Sequence, residues 1–462
     1  MHSIRDCDQN SPTLTMSLAQ LPPELLHRVC SYSDLPEIKS IRLTCSQLAA
    51  IGAEYLLPEV ETFFLRGSID KVEQIARSPG VARGVRTLCF QADRLEELGS
   101  FEDWYAAQGH GYPRGWPALI RLSGPHETPG HQRTLRVEYQ QHRSSSLITC
   151  YEQYQCLRSD QLRLQSHDKI RKSLLLLFKA CPRLDKVYIT MADGLRRSTT
   201  MKLPPFEMAL VDAWGDIADI DMCVDQAEAT LLAAHEANAM LESLAIATIF
   251  HRFFGRPQTA EKIHHAMHNV EELRVSFYGP QNVHRDDATS PEVLNQIHKD
   301  IKDQGLVRFF VSASELRRLR IAGPPICHLD TRLSIFPLVD TVGKTIWPNL
   351  RSLCLEYISC SQTDIATLID HHQHALEYLH LADMDMTAGG TWHRVLQDIA
   401  RKLPVLRRAW LFGCCHSADH GEGRYEFLFE DAGEELQHDV RPAMQDFLVR
   451  GGRMPRFHEY GV

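Results

Sequence analysis

One short pattern recurs down most of the chain: apolar-x-x-apolar-x-apolar. It occurs as Val85, Leu88, Phe90, then as Leu184, Val187, Ile189 and as Leu241, Leu244, Ile246. Val270, Leu273, Val275 and Leu316, Leu319, Ile321 follow. Leu350, Leu353, Leu355 and Leu376, Leu379, Leu381 are the cleanest copies; Leu406, Ala409, Leu411 is the last, weakened by the small Ala409. From Leu316 onward the copies begin 34, 26 and 30 residues apart. Residues two apart share a face of a strand, so each copy predicts a short strand with one buried side. A unit this small hides its apolar side only against its neighbours, which confines such a chain to few architectures.

The intervals have room for helices. Residues 362–371 carry Ile365, Leu368 and Ile369, and residues 392–403 carry Val395, Leu396 and Ile399. A short strand with a returning helix every few dozen residues is the leucine-rich-repeat arrangement. It predicts an α/β fold, an irregular leucine-rich-repeat-like solenoid over residues 83–425, with an unrelated α/β fold of parallel strands as the alternative. Ser352, Cys354, Tyr378 and His380 alternate with the apolar positions, so they face the other way and line the concave side if the strands are parallel neighbours. Earlier units are stretched by a Gly- and Pro-rich loop at 109–129 and a helical run at 131–180 ending at Pro182. An Ala-rich helix is expected over 217–238. Residues 426–462 read as a capping helix and tail, with Val440, Met444, Phe447 and Leu448 on one face, Pro442 near the start and Gly451 after the end.

Ahead of the repeats, residues 18–58 read as three short helices. Pro22 and Pro23 open the first, where Leu21, Leu25 and Val29 recur at intervals of four beside Leu26. Asp34, Pro36 and Glu37 open the second, which carries Leu35, Ile38 and Ile41. Thr44 and Gln47 have capping-box spacing and predict the start of the third, which carries Leu48 and Ile51. Helices this short bury little alone, and the apolar residues exceed what three can hide between them, so some mark a binding surface. Leu21-Pro22-x-Glu24, Val29, Leu35, Ile41-Arg42-Leu43-x-Cys45 and Leu48, in that order, resemble the F-box, with Ser33 standing where that family often has a bulky aliphatic residue. The resemblance covers about forty residues. It implies docking onto the Skp adaptor of an SCF-type cullin–RING ubiquitin ligase through Leu21, Pro22, Leu25, Val29, Leu35, Ile41, Leu43 and Leu48. Tyr151, Gln161 and the Cys181-Pro182-Arg183-Leu184-Asp185-Lys186-Val187 turn look like the middle region of large fungal F-box proteins. Residues 1–17 are expected to be a disordered tail. Residues 59–82 read as a linker helix after a strand at Val60, Phe63 and Leu65, with a break at Ser78-Pro79-Gly80.

Composition narrows the function classes. A formal net charge of −9 lacks the basic footprint of a nucleic-acid binder. No run of eighteen apolar residues predicts a membrane span, and the N-terminus lacks a signal-peptide core. Thirteen cysteines, an odd number without a framework, fit reduced thiols in cytoplasm or nucleus. No catalytic constellation is legible. Gly109, Gly111 and Gly115 do not match a dinucleotide fingerprint. His264 and His268 are a helical turn apart without a third ligand, and His371, His372 and His374 end a helix, where an imidazolium suits the dipole. Cys414-Cys415-His416 with His420 is the sharpest metal candidate, yet adjacent cysteines do not have zinc-loop spacing. The expectation is a non-catalytic receptor without metal or cofactor, taking an unknown protein target at Ser352, Tyr378 and His380. The alternatives are a non-ligase scaffold or a metal-dependent hydrolase built on the Cys/His run.

Overall fold

The structure, a computed structural model, describes residues 18–92, 149–164, 167–190, 220–249, 257–277, 305–323, 345–386, 390–417, 425–429 and 441–452, with isolated positions between them. The chain is α/β. Its strands are β1 (Glu59–Phe63), β2 (Thr87–Gln91), β3 (Lys186–Thr190), β4 (Ser243–Ile249), β5 (Glu272–Phe277), β6 (Arg318–Ala322), β7 (Ser352–Glu356), β8 (Ser359–Cys360), β9 (Tyr378–Ala382), β10 (Asp385–Met386), β11 (Arg408–Ser417) and β12 (Tyr425–Phe429). Nine of them, β1 to β7, β9 and the first half of β11, form one parallel sheet in which each strand pairs with the next.

The apolar pattern explains the register. Leu88, Val187, Leu244, Leu273, Leu319, Leu353, Leu379 and Ala409 align across the sheet in one row; Phe90, Ile189, Ile246, Val275, Ile321, Leu355, Leu381 and Leu411 align in the next. All are buried in one continuous core. A one-residue slip would turn every one of them to the opposite face. A stair of shared carbonyls runs beside these rows. Each of Pro58, Arg86, Asp185, Glu242, Glu271, Arg317, Arg351 and Glu377 accepts two successive N–H groups of the next strand's entrance, at 2.8–3.2 Å.

Helices from residue 66 onward pack on the buried face, and three others with a small core of their own precede the sheet. They are α1 (Pro23–Tyr32), α2 (Leu35–Ile41), α3 (Ser46–Ala53), α4 (Arg66–Ala76), α5 (Pro79–Ala82), α6 (His167–Ala180), α7 (Ile220–Glu236), α8 (Pro257–Met267), α9 (Gly305–Ser312), α10 (Gln362–His372), α11 (Trp392–Lys402) and α12 (Arg441–Arg450). From α4 they lie side by side in chain order: α4 on α6, α6 on α7, α7 on α8, α8 on α9, then α10 on α11 and α11 on α12. The turns from helix to following strand are four to six residues long after α6, α7, α8, α9, α10 and α11. The longer connections leave from the other ends of the strands.

Three units repeat in finer detail. After β7, β9 and the first half of β11 the chain passes through a left-handed residue, at Tyr357, Asp383 and Gly413. It then forms a second small parallel sheet of β8, β10 and the end of β11, with β12 antiparallel on β11.

Several expectations need correction. Residues 59–82 are not a connector: β1 pairs in register with β2, and the sheet begins at Glu59. Its second inward position is Thr62 rather than an apolar residue, tolerated because the Thr62 hydroxyl meets the Ser68 hydroxyl at 3.1 Å. A boundary after residue 425 would cut through β12. The third helix has no Thr44–Gln47 capping box: Cys45 is its N-cap without a side-chain bond, and the Thr44 hydroxyl donates to the Ile41 carbonyl. The capping box is on α2, between Asp34 and Glu37. Residues 1–17, 109–129, 131–148 and Val440 lie outside the described residues.

Candidate functional site

Two surfaces carry chemistry that packing alone does not use. The first lies on α1 to α3. Pro22 and Pro23 set the start of α1, where missing N–H groups cost nothing. Leu26, Cys30, Leu48 and Ile51 fill the small core between the helices, with Leu21, Ile41, Cys45 and Tyr55 at its edge. That leaves Leu25, Val29 and Tyr32 as an outward stripe along α1, at spacings of four and three. Pro22, Leu25 and Leu35 are exposed, and Leu43 is 89% exposed. Of the eight expected adaptor contacts these four face solvent; Leu21, Val29 and Ile41 are half-buried. Leu48 is 1% exposed and holds the helices together, so it is not a contact residue. Tyr32, 80% exposed, belongs to the surface and was hidden from sequence reasoning by its place at a helix end.

These helices are tied to the sheet. The buried Glu54 carboxylate bridges Arg83 at 3.4 Å and Arg183 at 3.5 Å. Gly84 lies so close that a Cβ there would run into the Glu54 carbonyl oxygen.

The second surface is the sheet face away from the helices, from β5 to β11. Its two rows read Glu272, Arg318, Ser352, Tyr378, Arg408 and Arg274, Arg320, Cys354, His380, Trp410. Glu356 and Phe412 stand beyond them on β7 and β11. The expected target residues Ser352, Tyr378 and His380 do come together here; Ser352 and Tyr378 are register partners. Trp410 is 58% exposed, and its ring stacks on His380 at 6.3 Å between centroids. Sequence reasoning missed Trp410 and Phe412 because the weak copy at Ala409 drew attention to the buried side of that strand.

Ion pairs order this face. Arg318 and Arg274 both donate to Glu272, at 2.7 Å and 2.8 Å. Burial pushes the Glu272 carboxyl up, but the hydrogen bonds and charges of the two arginines outweigh it and hold it below the usual carboxylate range. Arg320 donates to Glu356 at 2.9 Å. Four arginines stand against two glutamates, so the face is locally positive on a chain that is negative overall.

The other singled-out residues serve packing. His372 is buried; Trp347 N–H donates to its Nε2 at 3.1 Å, so Nδ1 carries the proton and donates to the Leu368 carbonyl at 2.8 Å. Burial holds it neutral, so it is not the imidazolium expected at this helix end. His265 packs edge-on to His235, and His268 bonds Ser314 at 3.2 Å, so each has a packing or hydrogen-bonding role of its own. Cys415 faces the core, while Cys414 and His416 lie on β11 opposite Leu428 and Tyr425. His420 lies outside the described residues. Tyr151 joins an aromatic cluster with Phe101, Trp104 and Tyr154, and the buried Gln161 side chain accepts from Leu95 N–H. No helix among the described residues is long and apolar enough to cross a membrane. Compared with known proteins, the chain matches no family model and no curated protein.

Proposed function

We propose that the chain is the substrate-recognition subunit of an SCF-type cullin–RING ubiquitin ligase in the cytoplasm or nucleus, itself doing no bond-making. Residues 18–58 act as an F-box that docks on the Skp adaptor, and the units from Glu59 onward act as a leucine-rich-repeat solenoid that takes a protein target. The observation that supports this is the presence of two exposed surfaces on one chain: an apolar stripe on α1 to α3, and an arginine- and aromatic-lined face on the sheet. Tethering a target beside the conjugating enzyme raises the effective concentration of its lysines, which is all that such a receptor must do.

The exposed leucines give the cleanest test. Burying one leucine contributes roughly 1.5–3 kcal/mol when it is fully exposed beforehand. Leu25→Ala with Leu43→Ala is expected to weaken adaptor binding at least tenfold by calorimetry, since about 1.4 kcal/mol is a factor of ten. Both side chains point outward, so the melting temperature should hardly move. Full-strength adaptor binding by this variant, or none by the intact chain, would overturn the F-box assignment. A chain that captures targets without the adaptor would be a scaffold.

A further inference from the structure

Cys354, Glu356 and His380 reach the open face from two adjacent strands. Cys354 and Glu356 are two apart on β7, so their side chains leave on the same side, and His380 on β9 is the register partner of Cys354. One ligand-type atom from each lies within 4.8 Å of the other two. Zinc bonds of about 2.0–2.3 Å to nitrogen, oxygen and sulfur place tetrahedral ligand atoms about 3.3–3.8 Å apart. Closing the three around an ion therefore needs shifts of about 1 Å at side-chain tips.

The bonding of each group bears on whether the three could close on an ion. His380 Nε2 is buried without a hydrogen-bond partner, which leaves a polar atom paying desolvation for nothing in return. The Cys354 thiol donates to Glu356 Oε1 at 3.2 Å. Arg320, on the neighbouring strand β6, donates to the other carboxylate oxygen, Oε2, at 2.9 Å. Burial, and then the Glu356 charge, push the Cys354 thiol up, while Arg320 and Arg274 oppose this.

We propose that Cys354, Glu356 and His380 form a mixed sulfur, oxygen and nitrogen site for a borderline divalent cation, best suited to zinc, with the fourth position open on the sheet face. Thiolate and imidazole favour zinc over magnesium or calcium, which take oxygen. On binding, the Cys354 S–H proton leaves to solvent. Thiolate and carboxylate then offset the ion's two positive charges. Glu356 Oε1, having lost its thiol donor, turns to the ion, while Arg320 on Oε2 fixes the carboxylate's orientation as an outer partner. The site is independent of adaptor docking.

The test uses the full chain, reduced, stripped with a chelator and titrated with cobalt(II). The expected result is one equivalent bound, with a thiolate-to-cobalt charge-transfer band and tetrahedral ligand-field bands, displaced by zinc. Cys354→Ser, a nearly isosteric change, should abolish the charge-transfer band, and His380→Ala should weaken binding at least tenfold; a thermal melt of each stripped variant checks folding. Cys414→Ala with His416→Ala should bind like the wild type. No band in the wild type, or a band that survives Cys354→Ser, would overturn the proposal.

Discussion

Trp410 gives the sharpest prediction for target capture. A tryptophan offers up to about 250 Å² for burial, and this one is 58% exposed. A partner covering the ring would therefore remove about 145 Å² from water, contributing up to about 3.6 kcal/mol at ~25 cal/mol/Å². Trp410→Ala should then weaken target binding roughly thirty- to three-hundred-fold, the range for a loss of about 2–3.5 kcal/mol. The fold itself should lose only the stacking on His380, about 0.5–1.5 kcal/mol. The assay is proximity labelling or crosslinking with quantitative mass spectrometry, comparing wild type, Trp410→Ala and Trp410→Phe at equal expression, with co-purified adaptor as internal control. Targets should drop out of the alanine variant and be largely retained by the phenylalanine one. If the alanine variant keeps its full target set while still bound to adaptor, the arginine- and aromatic-lined face is not where targets dock.

Two further predictions concern stability. Burial sets the folded pKa of His372 below the ordinary 6.5, so between those values the unfolded chain binds a proton that the native chain resists, and the contribution of His372 to stability falls as pH drops below about 6.5 and is constant above it. Urea midpoints at several pH values should show that slope; His372→Leu should remove part of it and cost about 1–3 kcal/mol at neutral pH by stranding the Trp347 N–H, and a variant with an unchanged slope would refute the assignment. Gly84→Ala would force a methyl into the Glu54 carbonyl, an overpacking cost of about 1–3 kcal/mol; limited proteolysis should release residues 18–58 earlier than in wild type, and equal protection would show that the contact yields freely.

The sheet was legible because its signal is redundant. Each strand repeats the same two inward positions, and even the weak Leu406–Ala409–Leu411 copy stands in the same two rows. β1 escaped recognition as the first unit because Thr62, a polar residue satisfied by Ser68, occupies an apolar slot. The α3 cap misled because capping-box spacing is necessary but not sufficient: the Thr44 hydroxyl found the Ile41 carbonyl first. The Cys354, Glu356 and His380 triangle had no linear signature at all. Its members come from two strands separated by a helix, and only parallel pairing in register makes neighbours of Cys354 and His380. The linear signal lies instead in Cys414, Cys415 and His416, consecutive along the chain, where Cys415 turns into the core.

The short helix-to-strand turns, and the long connections that follow strands such as β2, β3 and β5, give the two edges of the sheet different evolutionary freedoms. At the entrance edge, turns of four to six residues and the stair of shared carbonyls leave no slack, so an added residue there would shift a whole row of the core. At the exit edge, connections such as that from Thr190 to Ile220 or from Phe277 to Gly305 already run to dozens of residues. Doubling a flexible loop costs only about 0.6 kcal/mol in closure entropy. New segments can therefore accumulate along that one rim, bordering the arginines and aromatics, while the strand ladder stays unaltered. Among chains built this way, length changes would collect at that rim and be almost excluded from the opposite side.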